Sequence, residues 1–86
     1  MEPERIRFPV LYPVKVVARA SPELRARLDA IFRQHFGPLP ADRVSERPSA
    51  NSNYVAITYV PEVQNEAQLQ VLHTDLKQVE GIMMVL

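Results

Sequence analysis

The two histidines are the first residues to weigh for catalysis or for metal binding. His35 and His73 lie on different predicted helices, and neither has an acidic partner at a recognised metal-ligand spacing. His35 continues the apolar stripe of its helix, which favours a packed, half-buried imidazole over a ligand. The chain contains no cysteine, so thiolate nucleophiles, thiolate metal ligands and disulfides are excluded together. We therefore expect no metal site, no cofactor and no catalytic histidine.

Carboxylates suited to acid–base catalysis are also scarce. Glu62, Glu66 and Glu80 fall at the ends of predicted elements, and Asp29 lies among arginines on a surface expected to be exposed. The sequence has two glycines and contains no G-x-S-x-G motif, no P-loop and no G-x-G-x-x-G motif. We interpret these carboxylates as solubilising charges, and we predict that the protein is not an enzyme.

The segment "RPSANSNYVAIT" joins small polar residues to a run of alternating apolar ones. Ser49, Asn51, Ser52 and Asn53 have side chains that mimic backbone turns, which favours the tip of a hairpin. The same side chains are able to hydrogen-bond a small polar ligand, with Arg47 as the partner of an anion. We favour the turn, because proline, serine and asparagine are the usual turn formers, and we keep the ligand loop as the alternative.

A surface for RNA is the third kind of site, because RNA-recognition motifs stack bases on aromatic side chains of two central strands. The first predicted strand offers Lys15, Val17 and Arg19 on its uncovered face, and none of these is aromatic. Tyr54 supplies one ring and Arg47 adds local charge. Ten basic and ten acidic residues cancel, so no global positive field gathers phosphates. We expect no nucleic-acid partner and interpret these five residues as contacts for a protein or a small ligand.

The length and composition describe one folded domain. Eighty-six residues build a single core, and 47% apolar with 23% charged residues is the balance of an ordinary globular protein. We expect residues 1–7 to form a flexible tail and residues 8–86 to form one domain. The sequence shows no signal-peptide pattern, and no apolar run approaches the ~20 residues that cross a bilayer. We expect a cytoplasmic protein that makes no membrane contact.

Two segments have the spacing of amphipathic helices. The first is predicted to have Ser21 as its cap and the following proline at its first position, and to end before Gly37. The second is predicted to begin with a capping box of Asn65 and Gln68 and to end at Gly81. The apolar stripes that should face a sheet are Leu24, Leu28, Ile31 and His35 with Phe32 in the first helix, and Leu69, Leu72 and Leu76 with Val71 and Val79 in the second.

Four segments have the patterns of strands. Residues 14–19 and 54–59 alternate in polarity, which predicts strands with one buried face. The segment "DRVSERPSA" is weakly apolar and contains Pro48, which suits an edge strand. The stretch "IMMVL" is short and wholly apolar, so it must pair with another strand.

The resulting order β-α-β-β-α-β predicts an α+β protein with the split arrangement of ferredoxin-like folds. Two right-handed crossovers place both helices on one face of a four-stranded antiparallel sheet, with the strands of residues 14–19 and 54–59 in its centre. The other face then stays uncovered, and the last strand lies at an edge with its apolar side chains partly exposed. We therefore expect a homo-oligomer or a protein partner, bound through the open sheet face or the last strand.

Several short motifs follow one another in a characteristic order. They are Phe8-Pro9, Tyr12-Pro13-Val14-Lys15-Val16, Pro22-Glu23-Leu24, Arg47-Pro48-Ser49, Asn53-Tyr54 and Met84-Val85-Leu86. Together they resemble the YbeD-like family of small bacterial proteins of unknown function. The resemblance spans residues 8–86 and implies a ferredoxin-like fold similar to ACT-type regulatory domains. It implies no established activity, although gene neighbourhood suggests a link to lipoate metabolism.

One residue and one turn depart from the patterns that this resemblance implies. Members of the YbeD-like family commonly have a glycine where this chain has Ser52, so the hairpin turn is expected to differ. ACT domains that bind amino acids generally have a glycine-containing turn after the first strand, and here that turn reads Arg19-Ala20-Ser21-Pro22. We therefore predict a non-enzymatic regulatory or protein-interaction module. An ACT-like sensor of a small metabolite is the alternative, and an RNA-binding domain ranks last.

Overall fold

A computed structural model describes residues 7–86, so all but the last residue of the predicted tail lie outside the described residues. The helices and strands are β1 (Val10–Leu11), β2 (Val14–Arg19), α1 (Leu24–Phe36), β3 (Val44–Pro48), β4 (Tyr54–Tyr59), β5 (Glu62–Val63), α2 (Glu66–Lys77) and β6 (Ile82–Val85). Four strands form an antiparallel sheet in the order β3-β4-β2-β6. The predicted α+β, ferredoxin-like arrangement is therefore confirmed.

The two central strands, β2 and β4, carry the predicted alternation. In β2, alternate residues from Val14 to Ala18 point toward the helices and are fully buried. In β4, the buried positions are Val55, Ile57 and Tyr59. The two strands pair without a register shift, with Val14 opposite Tyr59. Because side chains alternate between the faces of a strand, the intervening residues of both strands lie on the face away from the helices.

Both helices pack on the same face of the sheet and close one core. Phe32 of α1 stacks on Tyr59, with 3.9 Å between the ring centroids and 12° between the ring planes. Leu72 and Leu76 of α2 are fully buried in the same cluster. The predicted stripes are confirmed at these positions, whereas Val71 is 51% exposed and lies on the outer side of α2. One continuous core therefore holds both helices against the sheet.

Helix α1 begins later than the sequence predicted. Pro22 and Glu23 form a turn, Glu23 occupies the cap position, and no side chain accepts a capping hydrogen bond. Ser21 contributes its backbone carbonyl, which accepts from the N–H of Leu24 at 3.3 Å. The prediction of a Ser21 hydroxyl cap is wrong, because the proline turn closes through this carbonyl instead. The predicted end is confirmed, since the N–H of Gly37 donates to the carbonyl of Arg33 at 2.8 Å.

Helix α2 has the predicted cap but a different end. The Asn65 side chain accepts from the N–H of Gln68 at 3.0 Å, while the Gln68 side chain accepts from the N–H of Gln64 at 2.8 Å. The helix ends at Lys77, so the prediction that it continues to Gly81 is wrong. Gly81 has a φ of 90° and lies in the turn that leads into β6. A left-handed residue there redirects the chain from the helix layer into the sheet.

A second small sheet, formed by β1 and β5, was not predicted. Val10 pairs with Val63, and the N–H of Tyr12 donates to the carbonyl of Pro61 at 3.0 Å. Each of the two strands has only two residues, which is too short for an alternating pattern to be visible in the sequence. The pair ties the segment before β2 to the segment after β4.

Candidate interaction surface

The sheet face opposite the helices, which we call the open face, consists of side-chain rows that cross the strands. Residues paired across antiparallel strands project from the same face. The rows are Ser45, Thr58, Lys15 and Leu86; then Arg47, Ala56, Val17 and Met84; then Tyr54 and Arg19. The open face therefore brings together five of the residues predicted as contacts, which are Lys15, Val17, Arg19, Arg47 and Tyr54.

The open face carries three cations around an apolar centre. Lys15, Arg19 and Arg47 are exposed, and none of them forms an ion pair with a carboxylate of residues 7–86. Val17 and Ala56 pair side by side between them and are half-buried. A surface of this kind is complementary to a partner with an apolar centre and negative charges around it.

Strand β6 forms one edge of the sheet and is apolar throughout. No strand of residues 7–86 pairs with its outer side. Met83, Met84 and Leu86 are 59%, 51% and 60% exposed. The register of β6 shifts opposite Val17 and Ala18, which makes Met83 the extra residue of a bulge. An unpaired apolar edge is the type of surface to which another strand adds.

The opposite edge, strand β3, is protected against such pairing. Its residues after Val44 are polar or charged and end in Pro48, which lacks an N–H for a neighbouring strand. Arg25 of α1 donates to the Glu46 carboxylate at 3.0 Å and ties this edge to the helix layer. The predicted edge position of β3 is confirmed. Of the two edges, β6 is therefore the one suited to contact.

The hairpin tip between β3 and β4 is held by its own polar side chains. The Ser49 hydroxyl donates to Oδ1 of Asn51 at 2.9 Å and accepts from the N–H of Tyr54 at 3.1 Å. The N–H of Asn53 donates to the same Asn51 oxygen at 3.3 Å. Ser52 has a φ of 61°, in the left-handed region. The tip is thus the favoured turn, and the role of Ser49, Asn51 and Asn53 as ligand contacts stays a prediction.

A cleft of about 460 Å³ lies where the end of β2, the start of α1 and the turn before β6 meet. Its lining residues are Arg19, Ala20, Ser21, Glu23, Arg27, Glu80 and Gly81. Within residues 7–86, neither Arg19 nor Arg27 forms an ion pair. Arg19 and Arg27 provide charge-assisted donors for a carboxylate or a phosphate, and Glu23 and Glu80 bring two negative charges to the same lining.

Tyr59 anchors a hydrogen-bonded network that the sequence analysis missed. Its side chain is 1% exposed, and its hydroxyl donates to Oδ1 of Asp29 at 2.6 Å. Nε of Arg25 donates to the same oxygen at 2.9 Å, which raises the pKa of Arg25. Burial, and then the hydrogen bond to Asp29, raise the pKa of Tyr59 well above its ordinary value. The hydroxyl therefore stays protonated, and the purely solubilising role expected of Asp29 is wrong.

A second missed contact links the two helices. Nε2 of His35 lies 2.7 Å from Oδ2 of Asp75, and the His35 side chain is 12% exposed. The Gln68 side chain donates to the His35 carbonyl at 3.1 Å. The predicted half-buried imidazole is confirmed, but its acidic partner lies 40 residues away in the sequence. No spacing rule for neighbouring residues identifies such a pair.

Neither a cluster of metal ligands nor a membrane-spanning helix is found in the described part of the chain. In residues 7–86, no three histidine, aspartate or glutamate side chains come together in a group that could hold a metal ion. Neither α1 nor α2 has the length and apolar character needed to cross a bilayer.

Comparison with known proteins places the chain among relatives of similar length. The model of a family described as "Protein of unknown function (DUF493)" matches residues 3–86. A UPF0250 protein of Shewanella woodyi is 37% identical over 84 residues, covering 96% of this chain and 92% of the relative. A UPF0250 protein of Hahella chejuensis is 31% identical over 85 residues, covering 99% and 93%. One from Neisseria gonorrhoeae is 34% identical over 81 residues, covering 94% and 89%.

A solved structure supports the fold. Protein HP0495 from H. pylori, determined in solution, superposes with a TM-score of 0.75 over 99% of this chain and 89% of that one. The two sequences are 16% identical, so this likeness concerns the fold alone. The resemblance to the YbeD-like family is confirmed, because the family match and the identities of the relatives extend over nearly the whole chain. The chain belongs to the DUF493, or UPF0250, family of small bacterial proteins of unknown function.

Proposed function

We propose that this protein is a non-enzymatic interaction module that binds a protein partner through the open face and the β6 edge, or another copy of itself along the β6 edge. One observation carries the proposal, which is the clustering of exposed apolar side chains on this surface. The large exposed apolar residues of the described chain are Leu11, Tyr54, Val71, Met83, Met84 and Leu86. Four of these six lie on the open face or along β6: Met83, Met84 and Leu86 are neighbours at the end of the sequence, and Tyr54 lies two strands away on β4.

The physical reason is the free energy of removing this surface from water. Contiguous exposed apolar patches mark interaction sites, whereas single exposed apolar residues are ordinary. Fully burying an exposed methionine side chain contributes about 1.5–3 kcal/mol, and Met83 and Met84, which are 59% and 51% exposed, have part of this left to gain. The β6 backbone adds hydrogen-bonding groups that a partner strand could satisfy. The zero formal net charge leaves little long-range repulsion between copies that meet along β6.

The role that we propose for this module is regulatory, and its location is the cytoplasm. Support for the regulatory role comes from the ferredoxin-like fold, which ACT-type domains share, and from the family resemblance described above. A small domain that presents one binding surface regulates by occupying or releasing its partner. No established activity of the relatives argues for or against this role.

The test compares two lysine substitutions. Met84 lies on the open face next to Val17, and Val71 lies on the outer side of α2. The two variants are Met84→Lys and Val71→Lys. Both positions are apolar and 51% exposed, so the variants differ in location and not in chemistry. Sedimentation equilibrium over a concentration series and capture of proteins from bacterial extract provide the readouts. We expect Met84→Lys to weaken association about tenfold or more and Val71→Lys to leave it within a factor of two.

Two results together would contradict the proposal. The first is a wild-type mass that stays monomeric at every concentration. The second is a capture profile that is the same for wild type and Met84→Lys. Circular dichroism and thermal unfolding of both variants exclude a trivial loss of folding as the cause of any change.

A second candidate function is the sensing of a small charged metabolite, and the cleft lined by two arginines and two glutamates favours it. A ligand that binds only the folded chain raises its melting temperature, so a thermal-shift screen with amino acids, lipoate and nucleotides tests the idea. We expect Arg27→Gln to abolish a shift that Arg33→Gln, on the same helix but outside this cleft, retains. No shift with any compound of the screen would leave the interaction module as the better supported function.

A further inference from the structure

Basic and acidic side chains lie on opposite faces of the four-stranded sheet. Its three cations, Lys15, Arg19 and Arg47, all project from the open face. The acidic residue of the same four strands, Glu46, pairs with the buried Ile57 and therefore faces the helices. There it accepts a hydrogen bond from Arg25 at 3.0 Å, as described above. The protein is neutral by its formal charge, but this one surface is positive.

The three cations surround the apolar centre of the open face. Lys15 and Arg19 are four residues apart on β2, which separates their Cα atoms by about 13 Å. Arg47 lies two strands away from Val17, at a Cα separation of about 10 Å. Val17 and Ala56 occupy the area between the three charges. The result is a triangle of positive charge around the half-buried apolar pair of Val17 and Ala56.

We infer that the open face binds an acidic segment of a partner protein. An apolar side chain of that segment packs on Val17 and Ala56, and its carboxylates lie over Lys15, Arg19 and Arg47. This inference rests on the proposed interaction function and names the chemistry of the partner. A neutral partner would strip water from three cations without replacing it, which opposes binding. An acidic partner replaces that water with charge-assisted hydrogen bonds.

Two other occupants of the open face fit less well. A second copy stacked face to face would bring Lys15, Arg19 and Arg47 against the same three cations, and like charges at an interface oppose association. RNA would need aromatic platforms on both central strands. Among the open-face rows Tyr54 is the single aromatic residue, and the central pair is Val17 with Ala56. The charge pattern thus favours an acidic protein over both.

The test selects binding peptides from a random library, so no partner sequence has to be assumed. Short random peptides displayed on phage are selected on the immobilised full chain, and the enriched peptides are synthesised and titrated by fluorescence anisotropy. We expect enriched peptides to combine aspartate or glutamate with one or two large apolar residues. Their binding should weaken about tenfold or more in Lys15→Glu and in Arg47→Glu, and it should weaken with rising salt.

Arg33→Glu is the matched control. Arg33 is an exposed arginine on α1, on the helix side of the sheet, and it forms no ion pair within residues 7–86. The substitution makes the same change in net charge, so an effect of overall charge would appear in it equally. We expect its affinity for the peptides to stay within a factor of two of wild type. Lys15→Gln and Arg47→Gln, which remove the positive charge without adding a negative one, should give smaller losses than the glutamate variants.

Several outcomes would overturn the inference. They are the enrichment of no peptide, enriched peptides without an excess of acidic residues, an equal loss in Arg33→Glu, and tighter binding of single-stranded oligouridylate than of any peptide. The association that depends on Met84 is measured separately in the test of the proposed function. If that association persists while the peptide test fails, the interaction module stands and the acidic partner does not.

Discussion

Tyr59 places a polar group at the end of a side chain that is otherwise part of the apolar core. Its ring stacks on Phe32, and its hydroxyl reaches Asp29 at the margin of the core. A buried hydroxyl without a partner destabilises a protein by about 1–3 kcal/mol, so the position of Asp29 on α1 matters for the fold. The carboxylate in turn accepts from Arg25, which keeps its charge compensated. This network accounts for Asp29 without assigning it a catalytic role.

Removal of the Tyr59 hydroxyl tests this network. We expect Tyr59→Phe to lower the free energy of unfolding by about 1–2 kcal/mol, because the ring packing remains and the hydrogen bond to Asp29 is lost. Urea denaturation measures the change. Tyr54→Phe is the control, since Tyr54 is on the open face and 37% exposed, and it should change stability by less than ~0.5 kcal/mol. Equal effects of the two variants would show that the buried bond contributes nothing.

The same hydroxyl should make stability sensitive to alkaline pH. The pKa of Tyr59 is raised in the folded chain, so the unfolded chain releases this proton near pH 10 while the folded chain retains it. The folded state then binds more protons, and its free energy of unfolding falls as pH rises above about 10. Tyr59→Phe should show a shallower fall between about pH 9 and pH 11. Parallel pH profiles of the two proteins would contradict a raised pKa.

Ser52 tolerates a backbone conformation that suits glycine. Its φ of 61° is in the left-handed region, where the Cβ atom crowds the backbone. For a residue other than glycine this conformation destabilises the folded state by roughly 1 kcal/mol. We expect Ser52→Gly to raise the free energy of unfolding by about 0.5 kcal/mol and Ser52→Val to lower it by more than ~1 kcal/mol. Thermal unfolding of both variants checks the signs. A shift of both in the same direction would mean that the tip relaxes to another turn.

The helices and strands divide into those that local patterns predict and those that they do not. Strands β2 and β4 alternate over six residues each, so their faces and central positions follow from the sequence. Strands β1 and β5 are too short for any period, and their pairing depends on how β2 and β4 bring them together. The end of α2 at Lys77 was missed because Gly81 is a glycine of the following turn and not of the helix.

Contacts between distant elements were not predictable from spacing. The Tyr59–Asp29 bond spans 30 residues and the His35–Asp75 pair spans 40. Both require the helices to be placed on the sheet before the partners can be identified. The residues of the open face are different, because strand alternation alone assigns Lys15, Val17 and Arg19 to one side. The sequence therefore predicts which side chains lie on the open face. The structure is needed to identify the contacts between helices and sheet that stabilise the fold.

The two helix starts provide a matched test of capping. Asn65 accepts from the N–H of Gln68, so Asn65→Ala should lower the free energy of unfolding by about 1 kcal/mol. Ser21 makes no side-chain cap in spite of its position before Pro22, so Ser21→Ala should change stability by less than ~0.5 kcal/mol. Chemical denaturation measures both variants. If Ser21→Ala lowered the free energy of unfolding by about 1 kcal/mol, the Ser21 hydroxyl would act as the cap that the sequence predicted.

The molecule has one face that stabilises it and one that is available for contact. The core cluster, from Val16 in the sheet to Leu72 in α2, lies between the sheet and the helices. The open face contributes backbone pairing through its strands, and neither helix covers it: Val17, Ala56 and Thr58 are half-buried there, while Lys15, Arg19 and Arg47 are exposed. Substitutions on the two faces should therefore separate into those that change folding and those that change binding.

This separation predicts opposite outcomes for two sets of variants. Lys15→Gln combined with Arg47→Gln should leave the free energy of unfolding within ~0.5 kcal/mol of wild type, because both side chains are exposed and form no ion pair within residues 7–86. Leu72→Ala should lower it by about 2–5 kcal/mol, because Leu72 is fully buried and leaves a cavity. Urea denaturation measures both, and an unchanged slope confirms that the same structure unfolds. If the double variant lost as much as Leu72→Ala, the open face would belong to the stabilising core and could not serve as a free binding surface.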